Sequence, residues 1–317
     1  MTGSRIRFAQ ISDMHLMQPG GCRCKWMPGE PEELLQQAIA QIQEIPNLDF
    51  VVFTGDLVDE ADCTSFQRLD TIVRQLSVPY FFSVGNHDID EIDGVVPPGK
   101  VGRAQFIEWC RTHFWLDAAN TGFADFVVSP LPNLKLICMD ASLGLCPEPQ
   151  GIIRPEQLEW LAHQLELYAD EMAIVAIHQP PLASVLFRHH RILPEHSRQL
   201  CQVLAQHRYI AAVLSGHLHT PKRYRRGNTA FLTAPPLVGP VAAFRTIELE
   251  APISSAPDRQ WGTLKYDWHP VRLPGADPKL MWKAIARGRA IDRSGQMKIA
   301  VPANWGEVQE LYAPVIA

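Results

Sequence analysis

A chain of 317 residues that is 46% apolar and 20% charged can bury a large core, and it has the composition of a globular protein, not of a disordered or fibrous one. Its formal charge of −5 gives no general basic surface for a nucleic-acid backbone, which argues against a nucleic-acid partner. No apolar run approaches the roughly 20 residues of a membrane-spanning helix, and Met1-Thr2-Gly3-Ser4-Arg5 enters a strand pattern without an apolar signal core. No membrane span and a cytoplasmic location are therefore expected, and the odd number of scattered cysteines, 7, is no disulfide framework.

Arg5 to Ile11 alternates as a strand, and Asp13-Met14-His15 follows its end. Cys22-Arg23-Cys24 has too short a spacing for a paired-cysteine zinc knuckle and no second pair, so it reads as two thiols in a Gly/Pro-bounded loop. Pro31 to Ile45 is predicted helical, with Pro near its start and Glu32 and Glu33 in the first turn. Phe50 to Thr54 is a buried strand leading to Gly55-Asp56, and Cys63 to Leu76 has helical spacing. Tyr80 to Val84 is a third strand, capped by Gly85-Asn86-His87-Asp88.

Arg103 to Trp115 is then a helix, and Phe123 to Val128 and Leu134 to Met139 are strands. Pro155 to Tyr168 is an amphipathic helix with Leu158, Leu161, Leu165 and Tyr168 on one face. Met172 to Ile177 is a strand delivering His178, His196 to Gln206 a helix, and Ile210 to Leu214 a strand delivering Gly216-His217-Leu218-His219. Tyr224 to Arg226 and Ala230 to Thr233 form a hairpin around Gly227-Asn228. Beyond Glu250 come a Pro/Ser-rich stretch from Pro252 to Arg259, a strand from Trp261 to Trp268 and a helix from Pro278 to Arg287. The chain divides into a main domain over 1–250 and a C-terminal extension over 251–317. That extension is a cap, a dimerisation arm through which a homodimer would form, or an element on the sheet edge.

Each polar cluster alone has a plain reading: Asp-x-His as a helix cap, Gly-Asp as a turn, His178 as a satisfied buried histidine. Together they follow the ends of five separate strands, where α/β sheets build their sites. Carboxylate, imidazole and amide groups gathered there can hold two divalent metals. Glycines at 55, 85 and 216 are expected to free the backbone for the turns involved.

In this order the five clusters, with Pro180-Pro181 after His178, resemble the motifs of the calcineurin-like metallophosphoesterase superfamily over about residues 5 to 235. Met139-Asp140-Ala141-Ser142 and Gln157-Leu158-Glu159-Trp160-Leu161 are similar to features of the bacterial class III cyclic-nucleotide phosphodiesterases and glycerophosphodiesterases. The resemblance implies a four-layer α-β-β-α sandwich with a C-terminal extension. It implies that Asp13, His15, Asp56 and His219 hold one metal, and that Asp56 bridges to a second completed by Asn86, His178 and His217. A hydroxide shared by the two ions would attack phosphorus in line.

His87, which the family pattern leaves free of metal, becomes the candidate to protonate or orient the leaving oxygen, with Asp88 beside it as electrostatic partner. Asp140 is placed behind the ligands. Gln179 departs from the His-His-Pro-Pro of the class III relatives and puts the network behind the ligands in question. His189-His190, in the basic loop Leu186 to Arg191, is not read as a metal pair, because the ligand set is complete without it. Lys222, Arg223, Arg225 and Arg226 form a basic rim after the last motif.

The expected function is metal-dependent hydrolysis of a small phosphodiester, a cyclic nucleotide or a glycerophosphodiester. The alternatives are a phosphomonoesterase or phosphoprotein phosphatase on the same core, a nuclease, and a scaffold that has lost its metals. The oxygen/nitrogen ligand set without thiolate suits manganese, iron or zinc.

Overall fold

The computed structural model describes residues 5–18, 30–182, 190–239, 241–251, 261–271, 287–302 and 305. Cys22 and Cys24, His189, the Pro/Ser-rich stretch and nearly all of the helix expected from Pro278 lie outside the described residues.

The apolar strands of the first half alternate with amphipathic helices, so their parallel pairing requires crossovers. β1 (Arg5–Ile11), β2 (Phe50–Thr54) and β3 (Tyr80–Ser83) pair in parallel, connected through α1 (Pro31–Gln43) and α2 (Cys63–Val73). α1 starts with Pro31 in its first turn; α2 is capped by Asp62, whose carboxylate accepts from Ser65 N at 2.8 Å. α3 (Arg103–Arg111) leads to the short β4 (Asp117–Ala118), then β5 (Phe126–Leu131) and β6 (Leu134–Met139). α4 (Pro155–Leu167), β7 (Met172–Ile177), α5 (Pro194–Ala205), β8 (Ile210–Ser215), β9 (Lys222–Arg226) and β10 (Thr229–Thr233) follow. The chain then returns to the first sheet with β11 (Ala243–Glu250), β12 (Trp261–Pro270) and β13 (Gly295–Ala300).

The strand orders are β13-β12-β11-β1-β2-β3 in one sheet and β4-β5-β6-β7-β8-β10-β9 in the other. Residues of β7 show how layers form. Ile174 and Ala176 join a core shared with β1, β2, α1 and α2, whereas Ala173, Val175 and Ile177 join a second core with Leu161 and Leu165 of α4 and Leu200 and Leu204 of α5. Period-2 alternation therefore buries both faces, which is why the strand reads as an unbroken apolar run. This is the expected α-β-β-α arrangement. Truncating a packed leucine such as Leu161 to alanine should cost roughly 2–5 kcal/mol.

Three strands escape the sequence reading: β4, β11 and β13. β11 lies between β12 and β1, in register from Arg5↔Glu250 to Gln10↔Arg245. Arg245, Glu248 and Glu250 disguise it, although Arg245 is fully buried, with Nη2 donating to Asp292 O at 2.8 Å. α3 stops at Arg111 instead of continuing to Trp115, which is 78% exposed. Strand β5 begins at Phe126, not Phe123; Phe123 sits beneath arginine side chains.

Candidate metal centre

Parallel strands β1, β2 and β3 of one sheet and β7 and β8 of the other all release the chain toward the same place. Asp13 and His15 follow β1, Asp56 follows β2, Asn86 follows β3, His178 follows β7, and His217 and His219 follow β8. The sheets are tied together there. Gln10 Nε2 donates to Ser215 O at 3.1 Å, His178 Nδ1 donates to Thr54 O at 2.7 Å, and His217 N donates to Asp13 Oδ1 at 2.8 Å.

The loops are strained where they carry these side chains. Asp13, His15, Asp56, His217 and His219 have φ of 54°, 44°, 50°, 69° and 48°, the left-handed region that non-glycine residues rarely enter. Of Gly55, Gly85 and Gly216, only Gly55 makes a left-handed turn, with φ of 82°. Gly85 and Gly216 are needed for a different reason than the turn expected of them. A Cβ at Gly85 would overlap the Asp56 backbone and carboxylate, and one at Gly216 would overlap the Ser12 hydroxyl.

Side-chain donor atoms of Asp13, His15, Asp56 and His219 lie within 4.8 Å of one another, and so do those of Asp56, His178 and His217. Asp56 belongs to both groups. His15 Nε2 is 3.1 Å from His219 Nε2 and 3.7 Å from Asp56 Oδ2; His219 Nε2 is 3.3 Å from Asp13 Oδ1; His178 Nε2 is 2.9 Å from Asp56 Oδ2. The Asn86 side chain is nearly buried, its Nδ2 donating to Pro147 O at 3.2 Å.

These side chains fit a pair of cations. Asp13 Oδ2, His178 Nε2 and His217 Nε2 are buried without a hydrogen-bond partner, a costly state for polar atoms that nothing positive completes. With Nδ1 donating to Thr54 O, His178 turns a bare Nε2 toward the Asp56 carboxylate: two acceptors face each other, and only a proton or a cation between them relieves the repulsion. Burial opposes a charged His178 ring, but the adjacent Asp56 charge outweighs it and pushes its pKa up to about 9, so without a cation a proton would fill this gap. Burial, reinforced by the His178 charge, drives His217 down to about 3, so its ring is the neutral imidazole that metals bind. Burial would raise Asp56, yet the charges of His178 and His87 hold it well below the usual carboxylate range.

Some expected contacts are absent and others are new. Asp88 does not partner His87. Its Oδ1 accepts from Leu57 N at 2.8 Å and Val58 N at 3.0 Å and its Oδ2 from Gly85 N at 2.7 Å, so the fully buried carboxylate clamps the loops after β2 and β3. The carboxylate beside His87 is Asp59, which the sequence reading missed although it stands three residues after Asp56. His15 Nδ1 donates to Asp59 Oδ1 at 2.9 Å; His87 Nδ1 donates to Asp59 O at 2.7 Å and lies 3.5 Å from Oδ1. Burial would raise the Asp59 pKa, but the hydrogen bond from His15 and the charges of both rings lower it. Gln179 is fully buried, with Nε2 3.5 Å from Asn86 Oδ1, so the departing residue stands directly behind a candidate ligand.

Asp140 is engaged elsewhere. Arg103 Nε donates to its Oδ2 at 2.8 Å, Ser142 N and Oγ donate to its Oδ1, and Gln157 Nε2 bonds both its carbonyl and the Asp125 carboxylate. The two sequence features outside the metal motifs thus meet in one buried network.

A sequence profile of the calcineurin-like phosphoesterase family matches residues 6–221, from β1 to the last histidine motif. The chain belongs to this family. As a member of the calcineurin-like phosphoesterases it is a hydrolase with a candidate dinuclear ligand set. It is 25% identical over 232 residues to a 3',5'-cyclic-nucleotide phosphodiesterase of Nostoc sp., covering 73% of this chain and 77% of that protein. It is 30% identical over 214 residues to a cAMP/cGMP dual specificity phosphodiesterase of Mycobacterium tuberculosis, covering 66% and 60% of the two chains. Among solved structures, a dimetal phosphatase from Danio rerio superposes with a TM-score of 0.62 at 15% identity, covering 84% of this chain and 96% of that one, a likeness of fold. No helix among the described residues is long and apolar enough to cross a membrane.

Proposed function

We propose that this phosphoesterase hydrolyses a small phosphodiester, a cyclic nucleotide or a glycerophosphodiester, with two metal ions. The observation that carries the reading is the sharing of Asp56 by two groups of donor atoms, several of them buried and unpartnered. Asp13, His15, Asp56 and His219 would hold one ion and Asp56, Asn86, His178 and His217 the other. When bound, the cations supply Lewis acidity toward the phosphoryl oxygens and acidify water. Manganese, iron and zinc suit these oxygen and nitrogen donors.

The chain's own residues do the rest. Strained loops fix the ligands before substrate arrives, so no reorganisation is needed in the transition state. With Nδ1 donating to Asp59 O, His87 keeps Nε2 for the leaving oxygen and would hand it a proton from there, the Asp59 carboxylate stabilising the charged ring. Asp59 is a positioning residue for His87 and for His15. The relatives named as cyclic-nucleotide phosphodiesterases support the diester reading.

The pairing of β12 with β11 supports residues 251–317 as an edge extension of the main sheet, and the free thiols of Cys63, Cys110, Cys138, Cys146 and Cys201 suit a reducing cytoplasm.

The test compares hydrolysis of bis(p-nitrophenyl) phosphate and p-nitrophenyl phosphate, followed by a panel of cyclic nucleotides and glycerophosphodiesters with manganese. Faster diester hydrolysis is expected; diester turnover far below monoester turnover would overturn the reading in favour of a phosphomonoesterase.

A further inference from the structure

A cavity of about 380 Å³, within the size range of small-molecule sites, opens beside the loops that follow β3 and β6. None of its lining residues belongs to the candidate ligand groups. Arg103 and Arg154 place their guanidinium carbons 5.2 Å and 4.3 Å from the centre of the Phe123 ring, and all three residues line the cavity. The two arginines differ. Arg103 is bonded to Asp140 and to the Ser142 carbonyl. Arg154 has no ion-pair partner among the described residues, and its Nη1 is buried without any hydrogen bond. Burial and the neighbouring Arg103 charge lower its pKa, only partly offset by the charges of Asp140, Glu156 and Asp125.

The solvent-facing part of the lining is mixed: Asp93 is an exposed carboxylate, and the large side chains beside it are aliphatic. Ile92 and Leu145, also in the lining, are 50% and 46% exposed and offer aliphatic surface to an occupant. The walls are preformed. Ile92 and Val95 exchange backbone hydrogen bonds of 3.0 and 2.8 Å, Glu91 N donates to Gly144 O at 2.7 Å, and Arg103 N donates to the Glu91 carboxylate at 2.7 Å. That last bond, with the Glu91–Arg103 ion pair at 3.8 Å, engages one of the two lining carboxylates; the other, Asp93, is exposed and makes no ion pair with either arginine among the described residues.

From this geometry we infer that the cavity binds a small organic anion, its phosphate or carboxylate on Arg154 and its flat or apolar body against Phe123, Ile92 and Leu145. Both walls continue into the metal centre. The loop bearing Glu91 carries Asn86 and His87 five and four residues earlier, and two residues beyond Leu145 the Pro147 carbonyl accepts from Asn86. An occupant therefore touches the two segments that position a candidate ligand.

Hydrogen exchange of the metal-loaded protein tests this, with adenosine 5′-monophosphate, benzoate and inorganic phosphate as probes. The nucleotide and benzoate should slow exchange at residues 91–95 and 143–145. In Arg154→Met the concentration needed should rise roughly 10–100-fold, the loss of a hydrogen bond to a charged group. Leu145→Trp, a surface change that fills the mouth and leaves the arginines folded, should abolish protection. Absence of protection in these segments, or equal protection in Arg154→Met and Leu145→Trp, would refute the site. Equal potency of inorganic phosphate would refute the apolar half of the recognition. Protection confined to residues 86–88 and 217–219 would place the probes at the metals instead and equally refute it.

Discussion

The metal cluster and the network of Asp125, Asp140, Arg103 and Gln157 are both buried, polar and placed near strand ends, yet they are built differently. In the network no buried side-chain atom lacks a hydrogen bond, and none of its members has a left-handed backbone. In the cluster three buried acceptors lack donors, and five members are held at positive φ. A polar group whose needs are met inside the protein has nothing left for a ligand; one whose needs are unmet stores affinity for whatever meets them. The difference separates a fastening from a site.

The largest way to test the contrast is to remove the shared carboxylate. Asp56→Ala should lose both metals, measured by elemental analysis after reconstitution, and lower phosphodiester turnover by more than about 10³-fold. Retention of a full metal complement would break the assignment of Asp56 as bridge. His87→Ala should keep its metals while turnover falls by roughly 10²–10⁴-fold; unchanged turnover would remove His87 from the mechanism.

The network should respond in the opposite currency. Asp140→Ala removes the nearest carboxylate from the Arg103 guanidinium, whose side chain is only 10% exposed and which keeps only the longer Glu91 pair and the Ser142 carbonyl, and should cost about 2–4 kcal/mol of stability in a urea titration. The folded fraction should still bind metal normally. Loss of metal affinity per folded molecule would show that the two clusters are coupled. Asp59→Asn falls between the classes: by loosening both His15 and His87 it should reduce metal affinity or turnover by roughly 10–100-fold with little change in stability. An unaltered enzyme would leave Asp59 a bystander.

Most of the cluster was legible because its chemistry is local: each ligand stands within four residues of a strand end, and strands announce themselves by apolar runs. What was not legible depended on partners distant in sequence. Asp88 lies beside His87 in the chain, but the β3 turn points its carboxylate into the backbone of the Asp56 loop. Asp59 earns its place only because two histidines from other loops converge on it. Gly85 and Gly216 owe their lack of a side chain to neighbours 29 and 204 residues away, Asp56 and Ser12, not to their own dihedrals. Arg245 hid β11 because a fully buried arginine contradicts the pattern of a central strand, and only Asp292, 47 residues on, accounts for part of it.

The last effect concerns how the network holds a proton. Burial, and then the charge of Asp140, push the Asp125 pKa up to about 7 from 3.8. A carboxyl group whose folded pKa is raised binds its proton more tightly folded than unfolded, so the stability it contributes is present at low pH and is lost as pH rises through the folded value. Asn should mimic the protonated form: Nδ2 can donate to Thr121 Oγ, which now donates to Oδ2 at 2.9 Å, while Oδ1 still accepts from Asp140 N at 2.8 Å. Between pH 3.8 and about 7 the wild type should therefore lose stability relative to Asp125→Asn, by up to about 1.4 kcal/mol per pH unit, and the difference should level off above that range. Thermal unfolding of chelator-treated protein removes metal binding from the comparison. A difference independent of pH would mean that Asp125 is ionised throughout, and that its hydrogen bonds from Asp140 N, Thr121 and Gln157 prevail over burial and the Asp140 charge.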